Sequence, residues 1–116
     1  VGEKLKVGSI VRAVLDDHHG KASEHFAIVI ASSESIVRGD DLAVVGISTS
    51  FKYPLPPHWY PLETRPGGHP ITGLHEACVA KADWFNVIKQ SDILEIRGRA
   101  PSRIVKQIAL YIRDNS

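Results

Sequence analysis

His25 and the pair Ser48-Thr49 are the side chains of this sequence whose types and placement suit proton transfer. Histidine titrates close to physiological pH, and a neighbouring hydroxyl can hydrogen-bond a developing oxyanion. His25 opens the second of three strand-like runs and Ser48-Thr49 closes the third. If those runs are adjacent antiparallel strands, the two ends meet. Each residue also has a plainer explanation. A histidine at a strand start is often half-buried and satisfied, and Ser-Thr-Ser at a strand exit is ordinary turn chemistry.

Tyr53, Trp59 and Tyr60, flanked by Lys52, His58 and Arg65, form the best mixture of aromatic and basic residues in the chain, of the kind on which single-stranded bases stack. Aromatics covering the open end of a barrel account for it equally well. His18-His19 after Asp16-Asp17 invites a metal, but adjacent strand residues point opposite ways and no HExxH or paired CxxC spacing is present. A solvated loop is expected there, and neither metal nor cofactor. Cys78 sits in an apolar run with no histidine beside it, as a small buried hydrophobe would. Gly20 and Gly67-Gly68 belong to no phosphate-binding pattern that opens a helix.

The elements that must position these groups read mainly as strands. Residues 9–15, 26–31 and 42–47 are short, β-branched, apolar runs, joined by polar clusters. A three-strand meander is predicted, with a hairpin connection between the second and third runs, since turn-forming residues stand on both sides of Ile36-Val37. Three prolines among residues 54–57 dictate a loop, and residues 58–63 suit a short edge strand because of Pro61. Residues 65–70 are another loop; 77–85 and 93–97 return to strand composition. Pro101 suits the first turn of a helix in which Ile104, Ile108 and Ile112, widened by Val105, Ala109 and Tyr111, form one apolar stripe. Close-spaced strands with one terminal helix predict a mainly β fold, a small antiparallel barrel closed by a C-terminal α-helix, and not a parallel α/β sheet.

With 116 residues, 43% of them hydrophobic, the chain fits one domain with one core, residues 1–116. The balance of 14 basic and 13 acidic residues leaves a net charge of +1, so a nucleic-acid site must be a local patch. A single cysteine forms no internal disulfide and the N-terminus has no signal-like pattern, which predicts a cytoplasmic protein. No stretch approaches the roughly 20 apolar residues of a membrane-spanning helix, so no membrane partner is expected.

Val7-Gly8-Ser9-Ile10-Val11-Arg12, then Gly20 and His25-Phe26-Ala27-Ile28-Val29-Ile30, then Val44-Val45-Gly46-Ile47-Ser48-Thr49 follow one another in an order that resembles the PemK/MazF toxin family. Members open with a "GDIV"-like strand and continue with "RPALVI" and "VVPITS". The likeness runs on through Gly73-Leu74, the 78–83 segment, Gly98-Arg99 and the closing helix, and so involves nearly the whole chain. It implies an SH3-like barrel, commonly a homodimer, that cleaves single-stranded RNA without a metal ion and is inhibited by an antitoxin protein. Cleavage proceeds by attack of the ribose 2′-OH on the adjacent phosphate. The family's functional arginine falls on His25 and its threonine on Ser48, while its two prolines are Phe26 and Gly46 here. Serine keeps the hydroxyl, whereas histidine trades a permanent five-donor cation for a titratable ring.

The resemblance therefore implies His25 and Ser48 as catalytic residues, and the strand-end reading adds Thr49. Lys21, Lys52, Tyr53, Trp59 and Arg65 would bind RNA, with Lys21, Lys52 or Arg65 replacing the lost charge. Two other functions stay open. A toxin-like barrel without catalysis would bind RNA or a protein segment, and a hydrolase using the histidines would carry bound metal.

Overall fold

The computed structural model describes residues 4–17 and 20–115. His18-His19, where a solvated loop is expected, lies outside the described residues. Strands β1 (Ser9–Asp16), β2 (Ala22–Val29) and β3 (Leu42–Ser48) form the expected antiparallel meander. The link between β2 and β3 is not the predicted hairpin but a short helix, α1 (Ser33–Arg38). The residues read as turn formers are its caps. The Ser32 hydroxyl accepts from the Ser35 amide at 3.2 Å, and Gly39 takes the left-handed conformation, φ 77°, that ends the helix.

Beyond β3 come β4 (Trp59–Pro61), β5 (Val79–Ile88), β6 (Glu95–Arg99) and α2 (Ser102–Asp114). Spatial order is β4-β5-β3-β2-β1-β6, every pair antiparallel. The mainly β class with a C-terminal helix matches expectation, but the sheet is open and not a closed barrel. β4 is three residues long and ends in Pro61, too short to ladder onto β6 at the far edge. Boundaries also shift. β2 begins at Ala22, so His25 lies within the strand, and residues 90–92 form a 3₁₀ turn that delays β6 to Glu95.

Both sheet faces are covered where β2 and β3 pair, which explains the apolar run of β3 and of the second half of β2. On one face Ile10, Ile28, Val45 and Ile47 pack with Leu62, Leu74 and Cys78 and with Ile104 and Ile108 of α2. Ile112 only half-buries and Ala109 is exposed, so the helical stripe is narrower than predicted. On the other face Val11, Ala13, Leu15, Ala27, Val29 and Val44 surround Trp84.

One irregularity governs what this second face displays. In the β3–β5 ladder Val45 pairs with Phe85 but Ile47 pairs with Ala80, so two steps along β3 match five along β5. The offset lies opposite Gly46, and the Trp84 indole fills the space there. A Cβ built on Gly46 would stand 2.1 Å from Trp84 Cε3. Gly46→Ala should therefore lower stability by about 2 kcal/mol or more, because overpacking a filled core costs on that order. Urea unfolding followed by tryptophan fluorescence measures it; an unchanged midpoint would mean that the indole is seated elsewhere.

Candidate active-site cavity

Strands β2 and β3 are laddered only from Ala27↔Gly46 to Val29↔Val44. Beyond that point β2 continues along β1 while β3 continues along β5, and the strands part. An open cavity of about 350 Å³ occupies this part of the molecule, lined by Asp17, Lys21, Ser23, His25, Ser48, Lys81 and Trp84. The β2 histidine and the β3 hydroxyl thus line one cavity together with Lys21, although the strand ends that carry them are not paired.

His25 is half-buried, its ring edge-on to Trp84 at 4.8 Å between centroids. Its Nε2 is 2.8 Å from Ser23 Oγ, two residues back on the same strand face. Trp84 is held in turn, donating from Nε1 to the Asp16 carbonyl at 2.7 Å. Ser48 ends β3 in a tight turn, where its hydroxyl accepts from the Ser50 amide at 3.0 Å and donates to the Ser50 carbonyl at 3.2 Å.

The remaining predicted residues do not line this cavity. Thr49, one residue beyond the end of β3, instead lines a separate apolar recess of about 150 Å³ with Phe26, Ile47, Leu74 and Cys78. Lys52 and Tyr53 are exposed on the proline-rich loop, Tyr53 edge-on to Phe51 at 5.8 Å. Arg65 is exposed in the next loop, where its amide donates to the Leu74 carbonyl. Trp59 adjoins the cavity through Lys81, its register partner on β5, whose Nζ lies 4.2 Å from the indole centroid.

Ser23, Lys81, Trp84 and Asp17 are the lining residues that sequence reasoning missed. Ser23 was legible, since it shares a face with His25 once the strand is started at Ala22. Lys81 and Trp84 were not. At three residues' separation a regular strand turns them to opposite faces, and only the β3–β5 offset brings both to one cavity.

Among the described residues no group of three or more His, Cys, Asp or Glu side chains is placed to hold a metal ion. No described helix is long and apolar enough to cross a membrane. Cys78 is buried, and burial, with a smaller contribution from Glu76, pushes its thiol up to about 11.

The same arrangement of elements occurs in proteins of known activity. An endoribonuclease from mycobacterial species superposes with a TM-score of 0.62 over 93% of this chain and 86% of its own, at 15% identity. Another mycobacterial endoribonuclease, in complex with its cognate antitoxin, gives 0.64 over 91% and 88%, again at 15% identity. The fold is that of these endoribonucleases. No protein-family profile matches the chain, and no curated protein matches it in sequence.

The raised Cys78 pKa has a chemical consequence. The thiol stays protonated at pH 8, so native protein should react with iodoacetamide far more slowly than the urea-unfolded chain, whose thiol titrates near 8.5. The neutral thiol is favoured in the folded state, so its contribution to stability is full below about pH 8.5 and is lost as pH rises towards 11. Mass spectrometry after timed alkylation checks the first expectation; equal rates for native and unfolded protein would contradict it.

Proposed function

We propose that this chain is the toxin of a type II toxin–antitoxin pair of the PemK/MazF kind, an endoribonuclease that cleaves single-stranded RNA without a metal ion. The observation that carries the reading is the cavity where β2 and β3 part, in which His25, Ser48, Lys21 and Lys81 face one volume. A fold shared with endoribonucleases, one of them bound to an antitoxin, supports it.

In this reading the ribose 2′-oxygen attacks the neighbouring phosphorus, the bond from phosphorus to the 5′-oxygen breaks, and the departing oxygen takes up a proton from water. His25 accepts the 2′-OH proton, as an imidazole nitrogen can. The Lys21 and Lys81 ammonium groups and the Ser48 hydroxyl stabilise the added charge of the phosphorane. Two lysines then supply the permanent charge that histidine lacks, one of them on β5 and not on the loops. Thr49 leaves the catalytic set because its side chain serves the opposite recess. Trp59, Tyr53, Lys52 and Arg65 extend the RNA contacts along the loops beside the cavity. The chain acts as a single cytoplasmic domain, as a homodimer, and is inhibited by an antitoxin protein.

A second reading, a toxin-like module that binds RNA without cutting it, has its own support. The Ser48 hydroxyl is engaged within its turn and His25 Nε2 is engaged by Ser23.

Purified protein incubated with single-stranded RNA in excess chelator separates the two. Cleavage is expected, falling about 100-fold or more in His25→Ala and in Lys81→Ala, the usual scale for losing an acid–base or charge-stabilising group. Cleavage by His25→Ala at the wild-type rate would overturn the assigned mechanism. RNA retained but never cut would favour the binding module.

A further inference from the structure

Lys81 does not stand alone at the rim of the cavity. Its Nζ lies over the Trp59 indole at 4.2 Å, a cation–π distance. Trp59 Nε1 donates to Asp83 Oδ1 at 3.0 Å, and Asp83 Oδ2 is 3.3 Å from His58 Nε2. His58 is itself stacked on Tyr111 of α2, centroids 4.9 Å apart and planes 13° from parallel. The backbone fixes the same geometry. Trp59 and Lys81 are direct register partners, and the Ala82 amide donates to the His58 carbonyl at 3.0 Å.

We infer that Asp83, acting through Trp59, is a positioning residue that aims the Lys81 ammonium into the cavity. A lysine on four rotatable carbons holds a point charge loosely, and a phosphate site gains from a charge fixed in place. The indole offers a fixed face, but its plane is set only if something holds the ring. Asp83 does so at the N–H edge of the ring, from a recess shared with Phe85 and Tyr111 and outside the cavity that Lys81 lines. The inference rests on the proposed RNA reading for its consequence, and on the contacts alone for its geometry.

It makes a prediction opposite in sign to simple electrostatics. Deleting a carboxylate near an RNA site should by charge alone strengthen RNA binding. Positioning requires the reverse for Asp83→Ala, while Asp83→Asn, which keeps an acceptor for the indole N–H, should bind at least as well as wild type. The probe is a single-stranded oligonucleotide with 2′-methoxy riboses, which can bind but cannot be cut. Asp83→Ala and Trp59→Phe should weaken its binding several-fold. Both should also lower the slope of log affinity against log salt by about 0.7, the share of one phosphate contact on a single strand. Asp83→Ala should not add to the effect of Lys81→Ala.

Asp83→Ala binding as tightly as wild type or more so, or weakening that persists in full on the Lys81→Ala background, would overturn the inference. Proton NMR of the RNA-free protein tests the geometry by itself. The Lys81 ε-methylene signal should be ring-current shifted in wild type and Asp83→Asn and should lose that shift in Asp83→Ala. If wild type binds no RNA, the functional reading fails, and this signal still decides whether Asp83 positions Lys81. An identical signal in all three proteins sinks the positioning role.

Discussion

Trp84 lies across Gly46 so closely that no side chain could be added there, and the three-residue offset between β3 and β5 falls at that point. The organisation of the cavity follows from this contact. The indole fills the face that β3 leaves bare and anchors to the Asp16 carbonyl on β1. It also presents its ring to His25. Because the offset reverses the alternation of β5, Lys81 reaches the same side as Trp84. A regular ladder would place the ammonium and the indole on opposite faces, and the cavity would lose either its charge or its floor.

How far the fold could be read beforehand depended on which physical signal each segment carried. β1, β2 and β3 were legible because β-branched runs between polar clusters have few alternatives. The edge character of β4 followed from Pro61, and the start of α2 from Pro101. α1 was not legible, since Ser32 and Gly39 serve equally as helix caps or as turn residues and only six residues lie between them. Closure of the sheet could not be judged either, because it depends on edge strands long enough to meet. Within the cavity, Ser48 was readable from a strand end and His25 from its place on the neighbouring run, although β2 begins three residues before it, whereas Lys81 depended on a register offset that no periodicity announces.

The substitution of histidine for the arginine that the resemblance implies is matched by changes around it. Gly46 stands where the resembling motif has proline, and its lack of a side chain admits Trp84, the ring against which His25 packs. Phe26, at the other proline position, turns to the opposite face, where the Arg97 guanidinium lies 5.0 Å from its ring. There Glu95 joins Arg12 and Arg97, and the hydrogen bonds from Arg97 and Arg12 hold its carboxyl below the usual range. The charged groups of that face are thus largely committed to one another. Lys21 and Lys81 are the basic groups that line the cavity.

The open sheet leaves two edges, and neither invites another strand. At one end β4 terminates in Pro61, which has no amide hydrogen to donate. At the other, Gly98 of β6 lies against the backbone of Ile71 and Thr72, and the Arg99 amide donates to the Ile71 carbonyl at 3.0 Å. Edge-to-edge growth, the usual hazard of an unclosed sheet, is blocked at both ends by covalent structure and by a loop already in place. Any chain that joins this one is steered away from strand addition and towards its grooves and side-chain surfaces.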